Sequence, residues 1–98
     1  MPLNVGVAQV SLRIPENASL KDKRQVVKSI ITRVRNQFEV AVAEVDDNDN
    51  WYIVTIGVAA ISNDKRYTNE VLSKVVAFIE KARFEAEMLD YSIELIDI

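Results

Sequence analysis

Apolar and polar residues alternate with a period of two from 3 to 14. Ala8, Val10, Leu12 and Ile14 fall on one side, with Gln9, Ser11 and Arg13 on the other. That is the pattern of a half-buried strand. Val5 and Val7 share the polar parity, so the first half is expected to be covered on both faces. Pro15 has no N–H to donate and ends the ladder. From Ser19 the period changes. Leu20, Val27, Ile31, Val34 and Phe38 recur at helical intervals, which predicts a helix over 20–37. Ser19 is placed to cap its first turn, with Asp22 three residues on where a capping box puts its acceptor. Lys21, Arg24, Lys28 and Arg35 share a second stripe of the same helix.

A second strand is expected over 39–47, where Val40, Val42 and Glu44 alternate with Ala41, Ala43 and Val45. The run Asp46-Asp47-Asn48-Asp49-Asn50 is a turn by composition. It lacks the Gly and the distant Glu of an EF-hand loop, so it reads as an acidic hairpin turn, with no metal expected. The third strand, 51–61, is apolar on both parities and therefore central. Its inward set is Tyr52, Val54, Ile56 and Val58; the outward set is Trp51, Ile53, Thr55 and Gly57. A glycine inside a strand marks a close approach by another group. Ser62 or Asn63 is expected to cap a second helix with Tyr67, Val71, Val75, Phe78, Ile79 and Ala82 on its apolar arc. Glu70 and Lys74 are spaced to pair outside it. In the last strand, 85–96, Leu89, Tyr91, Ile93 and Leu95 alternate with Asp90, Ser92 and Glu94, as suits a half-exposed edge.

The order strand, helix, strand, strand, helix, strand predicts an α+β ferredoxin-like sandwich over 1–98, a single domain. Four antiparallel strands would carry both helices on one face. The right-handed crossover rule puts strands one and three in the middle. The other sheet face is then bare, with Val5, Val7, Gln9, Ser11 and Arg13 beside Trp51, Ile53 and Thr55. An exposed Trp next to Ile and Val is a patch for a partner. Homodimerisation through that face, or its cover by a longer C-terminal segment, is the leading reading. RNA binding across the sheet would need aromatics on both central strands; strand one has none and strand three only Trp51. A small ligand in a regulatory dimer, or a monomer with an inconsequential patch, are the remaining readings.

Composition narrows the chemistry. The 98 residues include no Cys and no His. Disulfides, thiolate nucleophiles, imidazole bases and the commonest metal ligands are therefore excluded. No cofactor is expected. Catalysis would rest on Asp46 with Asp49 or Glu44, or on Lys23 as a base, and nothing sets these at a required spacing. Lys23 falls inside the apolar arc of the first helix. Either its methylenes lie on the core edge with the amine in water, or the amine sits at a pocket rim for an anion. No apolar run approaches the ~18 residues of a membrane helix. The first residues lack the basic stretch of a signal peptide, so a cytoplasmic protein is expected.

Net charge is −3, unevenly spread. Residues 13–36 hold seven basic and two acidic side chains, a net of +5, against −8 for the rest. A local anion-seeking patch is compatible with an acidic total. Its candidate contacts are Lys21, Lys23, Arg24 and Lys28, extended by Lys65 and Arg66 if the two helix starts lie close together. Basic residues in a first turn oppose the helix dipole, and a bound phosphate would offset that.

Several stretches resemble the bacterial YlxP-like family. They are Val5-Gly6-Val7, Ser19-Leu20-Lys21-Asp22-Lys23-Arg24, Val42-Ala43-Glu44-Val45-Asp46, Trp51, Gly57-Val58-Ala59, Ser62-Asn63-Asp64 and Leu89-Asp90-Tyr91. The resemblance spans nearly the whole chain. It implies a ferredoxin-like domain of unknown function with no agreed catalytic residues. It also implies a gene often placed among translation genes, near those for initiation factor two and ribosome-binding factor A. The reading that combines these points is a non-enzymatic interaction module, dimeric through the sheet face, touching ribosomal RNA or a translation protein. A purely structural homodimer or a small-ligand regulatory module is the alternative, and an enzyme is least favoured.

Overall fold

The computed structural model describes residues 3–14, 19–47, 50, 52–82 and 86–98. The alternating segments form β1 (Asn4–Arg13), β2 (Ala41–Asp46), β3 (Ile53–Ser62) and β4 (Glu87–Asp97); the helical ones form α1 (Leu20–Gln37) and α2 (Lys65–Lys81). The strands make one antiparallel sheet in the order β2-β3-β1-β4. The fold is the expected ferredoxin-like sandwich, with β1 and β3 central. They pair without interruption from Asn4 opposite Ser62 to Arg13 opposite Ile53.

One parity of the central strands is sealed. Ala8, Val10 and Leu12 of β1 and Val54, Ile56 and Val58 of β3 are buried against Val27, Ile30 and Val34 of α1 and Leu72, Val75, Val76 and Ile79 of α2. α2 packs across β1, β3 and β4, while α1 covers β2 and touches α2. An edge-on pair of rings, Phe38 and Phe78 at 5.7 Å, joins the two helices.

Several local expectations are corrected. The apolar arc of α1 centres on Ile30, with Ile31 and Phe38 half-buried. In α2, Thr68 and Leu72 are fully buried and Tyr67 is 58% exposed. Gly6 explains that rotation. A Cβ there would lie 2.5 Å from Thr68 Cγ2 and 2.6 Å from Leu72 Cδ1, so its absence lets α2 sit down on β1. The α2 cap is Asp64, whose Oδ1 accepts from the Arg66 N–H at 2.9 Å. Ser62 instead accepts from the Asp64 N–H at 3.0 Å and shares a hydrogen bond with Thr68 Oγ1 at 2.6 Å. Tyr52 is half exposed, because it precedes β3 in a turn where Asn50 Oδ1 accepts from the Tyr52 and Ile53 N–H groups. In β4, Ser11 opposes Asp90 but Leu12 opposes Met88, so Leu89 is the extra residue of a bulge. Met88 therefore turns inward, and Leu89 and Tyr91 are left about half exposed.

Candidate functional site

Ser19 Oγ accepts from the Asp22 N–H at 3.2 Å and starts α1 as the capping pattern predicts. The helix then presents Lys21, Arg24, Lys28 and Arg35, all exposed, at intervals that keep them on one stripe. At 1.5 Å per residue, Lys21 and Lys28 are about 10 Å apart along the axis. Arg24, Lys28 and Arg35 line a surface groove of about 430 Å³ between α1 and β2, with Val27, Ile31 and Val42 beneath. Arg35 Nη2 donates to the Val42 carbonyl of β2 at 2.9 Å. Among the described residues, Glu44 is the only acid lining this groove.

Glu44 does not oppose the stripe, because Lys23 neutralises it. Lys23 is 1% exposed, the largest fully buried side chain among the described residues. Its Nζ lies 3.4 Å from Glu44 Oε2 and donates to the Asp47 carbonyl at 2.5 Å. Both sequence readings of Lys23 are thereby corrected. The amine is neither in water nor at an open rim, since its stem runs between α1 and β2 and its tip finds partners where β2 ends. Asp47 has a left-handed backbone, φ 63°, which Asp tolerates better than most residues. Thr55 Oγ1 donates to Asp47 Oδ2 at 3.0 Å and ties this corner to β3. By contrast, Lys74 pairs with Glu70 at 2.9 Å in solvent. The hydrogen bond it donates to Glu70, then the charge of that carboxylate, holds the Lys74 ammonium above the ordinary lysine pKa.

Lys65 and Arg66 do not extend the stripe. α1 starts beyond the Arg13 end of β1, whereas α2 starts after Ser62, which pairs with Asn4 at the opposite end. Lys65 is also held by Asp97 at 2.7 Å. Of the catalytic candidates, Lys23 and Glu44 meet as an ion pair at 3.4 Å. Lys23 is sealed from an incoming substrate, and Asp46 Oδ1 accepts from the Asp47 N–H at 2.8 Å. Asp49 lies outside the described residues. Among the described residues no group of three or more acids could hold a metal ion.

The uncovered sheet face is ordered in rows by strand register. Ile61, Val5 and Ile96 stand side by side across β3, β1 and β4 at one end. The next rows are small: Ala41, Ala59 and Val7, then Ala43, Gly57 and Gln9. These residues and Val45 line a shallow groove of about 440 Å³. Gly57 marks the close approach expected of it, since a Cβ there would meet Val45 Cγ1 at 2.7 Å. Val7 and Gln9 face this groove, and Ile53 is half-buried at the far end. Thr55 is only 6% exposed, which corrects its place in an accessible interface: the Asp47 corner closes over it. Trp51, the aromatic expected on this face, lies outside the described residues. The alanines of β2 carry no chemical flag in the sequence. Only their pairing with Gly57 and Ala59 shows that they floor a trough.

No helix among the described residues is long and apolar enough to cross a membrane. The chain matches, over residues 5–93, the model of a family described as "Protein of unknown function (DUF503)". It is 40% identical over 76 residues to "Uncharacterized protein YlxP" of Bacillus subtilis (strain 168), covering 78% of this chain and 83% of that protein. The cationic groove, the sealed lysine and the bare sheet face are thus features of a protein that belongs to the DUF503 family, the YlxP-like family its motifs resemble.

Proposed function

We propose that the chain is a non-catalytic binding module that engages structured ribosomal RNA through the α1 stripe and self-associates through the open face of its sheet. One observation carries the RNA reading. Lys21, Arg24, Lys28 and Arg35 are exposed on one stripe, and Glu44, the acid lining the adjoining groove among the described residues, is paired with Lys23. Cations left unopposed in this way attract phosphates without reading base sequence. The gene neighbourhood implied by the family resemblance points the same way. The burial of Lys23 supports a non-catalytic role, since the lysine considered as a candidate base is out of reach of a substrate.

The test is a salt titration of binding to purified ribosomes and to naked ribosomal RNA. Four phosphate contacts predict a log–log slope of roughly −3. Lys21→Glu/Arg24→Glu is expected to weaken binding about tenfold or more and to flatten the slope by roughly 2. Binding equal to wild type would sink the RNA reading and leave a purely structural dimer. Binding to ribosomes but not to naked RNA would move the contact to a ribosomal or translation protein.

A further inference from the structure

The end of the fold where α1 stops and α2 begins holds a cavity that the proposed function leaves unused. It measures about 370 Å³, within the range of small-molecule sites. Phe38 and Glu39, just past α1, line it together with Tyr67, Glu70, Val71 and Lys74 of α2. We propose that this cavity binds a guanidinium group, stacked on its aromatic rings and held by its carboxylates. The inference stands apart from both halves of the proposed function.

Helical spacing supplies the α2 side of the cavity, since positions 67, 70, 71 and 74 share one face. Thr68 and Leu72 take the buried positions against Gly6, so Tyr67 is left 58% exposed beside the cavity rather than in the core. An aromatic residue outside the core has a ring to offer a ligand. The Phe38 ring is half-buried and braced edge-on by Phe78 at 5.7 Å.

Charge selects the ligand. Two carboxylates, Glu39 and Glu70, line the cavity against one ammonium, Lys74. α1 also ends here, and a helix C-terminus carries partial negative charge. Its cap is the extended residue Phe38, whose N–H donates to the Val34 carbonyl at 2.9 Å. Arg35, the basic residue of that last turn, is committed to the Val42 carbonyl. The N-terminus of α2 returns little positive charge, because the Asp64 carboxylate caps it. A phosphate or carboxylate ligand would therefore meet repulsion. A metal ion would have no use for the rings, and among the described residues no group of three acids could hold one. A guanidinium uses both features. Its plane stacks on an aromatic ring, its N–H fork matches a carboxylate, and it is more weakly hydrated than an ammonium. Lys74 does not close the site, since its pair with Glu70 is exposed on both sides and such pairs are weak.

Titrations followed by backbone amide chemical shifts test this with three probes: butylguanidinium, its neutral isostere butylurea, and a capped glycyl-arginyl-glycine peptide. Butylguanidinium is expected to bind with a Kd of roughly 1 mM, and butylurea about tenfold more weakly or worse. Peptide binding as tight as that of butylguanidinium assigns the group to an arginine side chain of a partner protein. Binding of butylguanidinium without the peptide assigns it to a free small molecule. Glu39→Gln and Tyr67→Ala, both at exposed positions, are each expected to weaken binding about threefold or more. Lys74→Gln frees the Glu70 carboxylate and is expected to tighten binding about two- to fivefold. Equal binding of butylurea and butylguanidinium, or shifts that never saturate, overturns the proposal. Weaker binding to Lys74→Gln overturns it too, because Lys74 would then be a contact and not a competitor. A Glu39→Gln/Tyr67→Ala double variant that binds like wild type does the same.

Discussion

At the scale of the residue, Lys23 is the side chain whose environment departs most from its type. A lysine at 1% exposure is tolerated because its tip meets both a carboxylate and a carbonyl. A buried pair of this kind adds little net stability, but removing one member leaves an uncompensated charge. Lys23→Met keeps the stem length, strands the Glu44 carboxylate and frees the left-handed corner at Asp47. It is expected to lower unfolding free energy by about 3 kcal/mol in urea titrations. Lys23→Met/Glu44→Gln should recover at least half of that. A single variant as stable as wild type would show that the pair is incidental. The apolar spacing around Lys23 exposed its position in the arc. Its partners are 21 and 24 residues away in sequence, and no local pattern links them.

At the scale of the element, the two glycines serve opposite faces of the sheet. Gly6 admits α2, meeting Thr68 and Leu72, both fully buried and unable to retreat. Gly57 admits Val45, which is 53% exposed on the edge strand and free to move aside. Gly6→Ala is therefore expected to destabilise by about 1–3 kcal/mol, and Gly57→Ala by less than about 1 kcal/mol, in thermal unfolding. The reverse order would refute this account of α2 docking. Period and capping chemistry made the existence of every element legible. They missed the rotation of α2, the Asp64 cap and the β4 bulge. Several adjacent polar residues satisfy the capping pattern equally, and a bulge changes parity without changing composition.

At the scale of the whole molecule, charge is separated along the sheet. The first-turn cations of α1 lie at the Arg13 end, and Lys65 and Arg66 at the Asn4 end. Nine strand steps span about 30 Å, several times the ~8 Å screening length at physiological salt. Lys65→Glu/Arg66→Glu is therefore expected to change RNA affinity by less than about threefold in the same salt titration that reads the α1 variant. A loss matching that of Lys21→Glu/Arg24→Glu would show that both helix starts contact one ligand. The segregation of basic residues into 13–36 was plain in the sequence. That Lys65 and Arg66 stand apart from them was not, because the distance between two helix starts depends on how the strands between them pair.

The sequence by itself determined the α+β class, the order of elements, the central strands and the apolar side of each. All of these follow from short-range periodicity and the handedness of the chain. It also determined which chemistries were absent, because composition decides that. Only the tertiary structure decided that Lys23 is sealed on Glu44 and Asp47, that the Asp47 corner covers Thr55, and that alanines from separate strands align into a trough beside an isoleucine ridge. Those features depend on strand register and on contacts between residues far apart in the chain. A shift of one residue in pairing would leave every local pattern intact and dissolve each of them.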